Sequence, residues 1–240
     1  MSDEIKQTKK YEFTGETKIE FGVTFKRIRA LVTIPGVVVV GAIGGWVEDE
    51  RNLSQVSDKA WVFGEAQVSD KAQVFGEAQV FGEAQVFGEA RVFGEAQVFG
   101  EAQVSDKAWV FGEAQVFGEA RVFGEARVFG EAQVSDKARV SDKARVSGEA
   151  RVSVTPLYLS GLTYSVTITD QHMAIGCQVH AIAEWRAFDG RRIAEMDGAT
   201  GSRFWRDMGP ALLALCAATS RPLPANTAEP APTAVEPEAA

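Results

Sequence analysis

Three side chains able to ligate a metal or move a proton sit close together late in the chain. They are His172, Cys177 and His180, spaced H-x4-C-x2-H. Imidazole nitrogen and thiolate sulfur suit zinc, which takes four such donors in a tetrahedron. Asp170 or Glu184 would have to complete the set, and three ligands on one hairpin is not a standard spacing. A Cys–His nucleophile pair is a second chemistry open to these residues. No neighbouring sequence marks an oxyanion site or a substrate pocket for it. The preferred reading is a packed hairpin with a buried Cys177 and two surface or capped histidines. No metal and no cofactor are expected.

These residues follow a stretch without histidine or cysteine, and that stretch organises the chain. Val56 to Arg151 divides into sixteen consecutive six-residue units with no insertion or deletion. Ten read V-F-G-E-A-x, five read V-S-D-K-A-x and the last reads V-S-G-E-A-R, with Gln, Arg or Trp at x. A fixed internal period is the signature of a solenoid. Within a unit, A-x-V alternates small apolar, polar and branched apolar, so Ala and Val share one face and x takes the other. Gly-Glu or Asp-Lys then turns the chain. A helix is excluded, because Val, Phe and Gly recurring at this period draw no continuous helical stripe. One unit cannot bury its Val and Ala alone. Three units closing into a triangular coil, with coils stacked, bury them in a continuous column. At ~4.8 Å per stacked strand the prism is roughly 25 Å long.

A three-unit coil sorts the outward positions into columns. Phe75, Phe93, Phe111 and Phe129 stack on one face, and Phe63, Phe81, Phe99 and Phe117 on a second. The third face alternates Ser69, Phe87, Ser105, Phe123 and Ser141. Beside it runs an alternating-charge ladder, Lys71, Glu89, Lys107, Glu125 and Lys143, whereas the first face carries Glu77, Glu95, Glu113, Glu131 and Glu149. Like charges ~5 Å apart in water repel by under about 1 kcal/mol, so the acidic column is tolerable but favours cations or a partner. Alternation points the Phe rings outward, since the opposite register would bury Gln, Arg and Trp at high cost. The two aromatic ladders either shield the corners by packing on themselves or form an apolar interface.

The flanks differ from the repeats. Tyr11–Lys18 and Ile19–Phe25 read as a hairpin, Arg27–Ile34 continues as strand, and Pro35-Gly36 turns the chain into Val37–Val40. This segment is placed to cap the open apolar end of the solenoid, with Trp46 covering the last Val/Ala layer. After the repeats, Tyr164–Thr169 and His172–His180 read as two strands around Asp170-Gln171. Ala181–Phe188 reads as a short helix, with Ile182, Trp185 and Phe188 on one face, and Arg191–Met196 as a further helical turn. Ser202 is a candidate N-cap for a later helix, which Gly209-Pro210 should kink or restart. Residues 219–240 hold five of the eight prolines and are expected to be disordered.

The segments K-Y-E-F-T-G-E-T (10–17), R-I-R-A-L (27–31) and G-G-W-V-E-D-E-R-N-L-S-Q (44–55), leading directly into hexapeptide repeats, resemble a group of phage and prophage proteins of the YdcK type. The stretch I-T-D-Q-H-M-A-I-G-C-Q-V-H (168–180), followed by F-D-G-R-R-I-A-E-M-D-G (188–198), is similar to a C-terminal segment of such proteins. The resemblance implies a phage or prophage origin and a left-handed parallel β-helix, and little about activity. Hexapeptide β-helices are often acyltransferases. Such enzymes usually need a histidine near a coil boundary and a loop that interrupts the repeats, and this repeat region offers neither, so no general base can be nominated there.

Net charge is −8 over 240 residues, which argues against non-specific adhesion to nucleic acid or membrane. Two cysteines make no disulfide framework and fit a reducing compartment. Met1–Lys6 carries no signal-peptide pattern, and Val37–Ile43 is too short to span a bilayer, so a cytoplasmic location in the host cell is expected, with association with the virion as the alternative. The expected organisation is mainly β: a flexible start (1–9), an N-terminal β cap (10–55), the β-helix (56–153), a small C-terminal α+β cap (154–218) and the Pro/Ala-rich tail (219–240). The expected function is a non-enzymatic structural or protein-binding module whose partner is another copy of itself or a host protein. The runner-up is an inhibitor of a host defence or DNA-binding protein that uses the acidic rod surface.

Overall fold

The structure, a computed structural model, describes residues 9–56 and 58–219. The start and the tail expected to lack order lie outside the described residues, apart from Lys9 and Thr219. The chain begins with strands β1 (Tyr11–Glu20), β2 (Val23–Ala30) and β3 (Ile43–Val47). Sixteen two-residue strands follow, β4 (Trp61–Val62) through β19 (Arg151–Val152). Strands β20 (Leu157–Leu159), β21 (Val166–Ile168), β22 (His172–Ile175) and β23 (Gln178–Ala181) precede helices α1 (Ile182–Ala187) and α2 (Gly190–Ala218).

The two-residue strands form a parallel β-solenoid with the expected period. Val74 lies opposite Val92 and Val92 opposite Val110, three units apart each time. The rungs stack into three parallel sheets, one of which is prolonged by β3, β2 and β1. From Ala60 to Val152 no Val or Ala of the repeat is more than 1% exposed, while x takes the opposite face as the period of two requires, with Trp61 alone fully buried, against Tyr11 of the N-terminal cap.

The corners explain the third unit position. It needs a left-handed backbone, which Gly112 adopts at φ 72° and Asp106 at φ 55°; Gly and Asp reach that region most readily. The coils also approach closely there: a Cβ on Gly94 would sit 2.9 Å from the Gly112 amide nitrogen. At the Asp58, Asp70 and Asp106 corners the carboxylate bonds the next coil, whereas Asp136 and Asp142 accept from the Ser135 and Ser141 hydroxyls. Asp70 Oδ2 accepts from the Gly88 N–H at 3.0 Å, and Asp106 Oδ2 from the Gly124 N–H at 3.0 Å.

Backbone bonds at x, Phe and Glu run from the N–H of one coil to carbonyls of the next, as in Gln73 N to Ala90 O at 2.9 Å and Phe75 N to Val92 O at 3.1 Å. The N-terminal end therefore presents carbonyls and the C-terminal end N–H groups, and each cap supplies the complement. At the first end Lys10 Nζ donates to Ala60 O at 2.9 Å, Asn52 Nδ2 to Ala72 O at 3.0 Å and the Tyr11 hydroxyl to Leu53 O at 3.1 Å. At the other end Thr167 Oγ1 accepts from Arg145 N at 3.2 Å, and Asp170 Oδ2 from Ser153 N at 2.7 Å.

Several sequence expectations are corrected. The first unit does not seat its valine inward: Val56 is 52% exposed, and Leu53, three residues upstream, bridges to Val74 instead. Leu53 is fully buried, so the larger side chain fills the end of the column. Trp46 does not cover the core layer. It pairs with Gln67, an outward position, and lies beneath Lys18 Nζ and the Arg27 guanidinium, each 4.7 Å from its ring. Trp61, Tyr11, Ile28 and Leu53 close that end. Strand β2 stops at Ala30, short of the Ile34 expected, and Ile34 forms only an isolated antiparallel bridge with Val38. The stretch His172–His180 is two strands, split by the turn at Gly176. Ser202 is no N-cap; its hydroxyl donates back to Gly198 O at 3.0 Å. Asp189 caps α2 by accepting from Arg192 N at 2.8 Å. The helix runs through Pro210, and its break falls at Asp197–Gly198. Among the described residues, no helix is long and apolar enough to cross a membrane.

Candidate functional site: aromatic and charged columns

The coil period brings the predicted columns together. Phe75, Phe93, Phe111 and Phe129 form one continuous stack, with ring centroids 4.9, 4.9 and 5.0 Å apart and planes within 4°. On the second face Phe81, Phe99 and Phe117 stack at 4.8 and 5.0 Å, but Phe63 meets Phe81 edge-on at 6.5 Å. All eight rings are half-buried. They point outward, yet each covers part of its neighbour, so stacking removes some of the apolar area that isolated rings would expose.

The alternating column is ion-paired at its two ends, Lys71–Glu89 at 3.4 Å and Glu125–Lys143 at 3.7 Å, with Lys107 between them outside ion-pair distance of either glutamate. These side chains are exposed, so each pair contributes little to stability. In the column Glu77, Glu95, Glu113, Glu131 and Glu149, only Glu77 has an ion-pair partner among the described residues, Lys59 at 2.8 Å. That face therefore keeps a row of carboxylates open to cations.

One feature of the first aromatic face was missed, although the same period contains it. Reading x every three units gives Gln73, Arg91, Trp109, Arg127 and Arg145. The Arg91 and Arg127 guanidinium groups lie 5.5 and 4.8 Å from the Trp109 ring, one from each neighbouring coil. Trp109 also meets Phe93 and Phe111 edge-on, at 6.2 and 6.5 Å. Between this column and the Lys/Glu ladder runs an open groove of about 600 Å³. The face thus joins a polar, mixed-charge groove to an apolar stack.

The His–Cys–His set does not converge. His172 pairs across the hairpin with Ala181, and His180 with Met173, so the two imidazoles lie on opposite faces. Cys177 sits in the turn between the strands and is exposed, not buried as expected. Its sulfur accepts from Gln178 Nε2 at 4.0 Å. His180 packs edge-on against Trp185 and Phe188, at 5.2 and 5.0 Å. Burial pushes both histidines below the usual imidazole range, with Glu184 opposing the shift in each case. Among the described residues no cluster of His, Cys, Asp and Glu is arranged to hold a metal ion. No protein-family model matches the chain, and no curated protein is recognisably similar to it.

Proposed function

We propose that the chain is a non-enzymatic structural or protein-binding module of the phage or prophage type, and that its two aromatic columns are the docking faces. The observation that carries this reading is the pair of half-buried ring stacks on adjacent faces of a rod whose repeats contain no inserted loop. Burying ~40 Å² more on each of eight rings adds about 8 kcal/mol at ~25 cal/mol/Å². Association costs about 4–15 kcal/mol in lost freedom, which offsets most of that gain. A weak to moderate complex follows, with the Gln and Arg of the x columns as its polar rim. The open Glu column supports a second reading, in which a cationic host protein is the target.

Sedimentation of the purified protein and of the double variant Phe93→Ser/Phe111→Ser tests the homo-oligomer form of the reading. Self-association at tens of micromolar, weakened in the variant, is expected. Serine already occupies this position in six units, so the variant should stay folded. A monomer in both cases removes self-association and leaves a foreign partner.

A further inference from the structure

The C-terminal segment encloses a half-open cavity of about 60 Å³ between α2 and the β22–β23 hairpin. Its wall includes Tyr164, Trp185, Phe204 and Trp205, and Asp197 stands among the residues that line it. Tyr164 and Phe204 meet edge-on at 5.1 Å, and Trp185 and Trp205 lie 5.0 Å apart with their planes tilted by 32°. The Tyr164 hydroxyl donates to Asp197 Oδ2 and fixes the carboxylate.

The helix is shaped around these side chains. It breaks at Asp197–Gly198, where Gly198 has φ 59° and ψ −146°. A Cβ on Gly201 would come within 2.9 Å of Asp197 Cβ, and a Cβ on Gly209 within 2.8 Å of the Trp205 indole. Each glycine lies one helical turn after the side chain it admits, so two bare positions let Asp197 and Trp205 lie where they do. Trp185 and Phe204 also belong to the cluster that packs the helices on Val166, Ile168 and Met173, and the cavity opens at its edge.

A cavity with several aromatic walls attracts a cation through the ring quadrupoles, and a carboxylate adds a counter-charge. At about 10–15 Å³ for each water-sized group, the 60 Å³ holds about four to six heavy atoms. A methylated ammonium head is that size. An anionic ligand would meet Asp197 unfavourably, and a neutral apolar one would leave the carboxylate unused.

We propose that this cavity binds a small alkylammonium group, with Tyr164, Trp185, Phe204 and Trp205 as its aromatic wall and Asp197 as its counter-charge. The same chemistry has two sources, a free quaternary amine and the methylated lysine side chain of a protein.

The full-length protein is titrated with tetramethylammonium chloride at constant ionic strength, followed by calorimetry and by the ion's methyl proton resonance. Saturable binding, an upfield-shifted methyl resonance and affinity at least about tenfold above that for neutral tert-butanol are expected. Asp197→Asn should weaken binding by about tenfold. Tyr164→Leu, which removes one aromatic wall and the hydroxyl that fixes Asp197, should weaken binding as well. Thermal melts check that each variant is folded, and the wild-type resonance shift is decisive if either is not. A trimethyllysine peptide binding about tenfold tighter than the free ion assigns the site to a protein side chain, and equal binding assigns it to a free amine. An unshifted methyl resonance, or equal affinity for the ion and tert-butanol, overturns the proposal.

Discussion

Replacing stacked rings singly and together should reveal a coupling whose size follows from the ladder. Phe93→Ser removes two stacked contacts, to Phe75 and Phe111, each at 4.9 Å. Phe111→Ser also removes two, to Phe93 at 4.9 Å and to Phe129 at 5.0 Å. The double variant removes three, because the contact between the two sites is shared. At about 0.5–1.5 kcal/mol per aromatic pair, each single change costs about 1–3 kcal/mol in stacking and the double about 1.5–4.5 kcal/mol. The double therefore falls short of the sum by about 0.5–1.5 kcal/mol. Lost ring burial and the edge contacts to Trp109 enter each single change separately and leave this difference intact. Urea unfolding at sub-micromolar protein avoids association, and coincident fluorescence and circular dichroism transitions check two-state behaviour. Phe75→Ser with Phe117→Ser, on different faces, serves as the additive control. Additivity within ~0.3 kcal/mol for Phe93 and Phe111 would refute the coupled ladder.

Further outcomes follow from the corners, the N-terminal cap and the histidines. Gly112→Ala should lower stability by about 1–2 kcal/mol through its left-handed backbone, and Gly112→Asp by less, because a corner Asp can accept from the next coil's N–H; equal melting temperatures would remove that role. Lys10→Ala strands Asp58 and the Ala60 carbonyl at a site where the lysine side chain is 2% exposed, and should cost about 3–5 kcal/mol in urea unfolding. For His172 and His180 the folded pKa is depressed by burial, so the unfolded chain binds protons first as pH falls. Stability should be unaffected above about pH 6.5, decline below it and level off beneath the folded values. A melting temperature independent of pH between about 7.5 and 5, after correction with a His172→Gln/His180→Phe variant, would contradict that assignment.

The solenoid was legible because every unit solves the same local problem. The Val/Ala alternation fixes the inward face, and the Gly or Asp corner fixes the turn, so the columns follow from counting. The same counting contains the Arg91–Trp109–Arg127 stack, because residues at x also recur every three units. The ends were harder to read. Leu53 displaces Val56 because the cap, not the repeat, decides what fills the terminal layer, and Trp46 turns outward because its register is set by pairing with Gln67. The C-terminal segment has no period at all. Its helix break at Gly198 depends on backbone geometry that local sequence signals placed at Gly209-Pro210 instead. The residue types of His172, Cys177 and His180 suit a metal, but strand alternation and the Gly176 turn send the three apart.

Affinity capture with the intact protein as bait tests the docking faces most directly. The baits are the wild-type chain, Phe93→Ser/Phe111→Ser and Glu95→Gln/Glu113→Gln, each verified as folded. A partner held by the wild type and by the Glu variant, and lost from the Phe variant, is expected. Equal capture by the Phe variant, or loss confined to the Glu variant, would contradict docking on the aromatic ladder; the second result would point to a cationic protein on the acidic column.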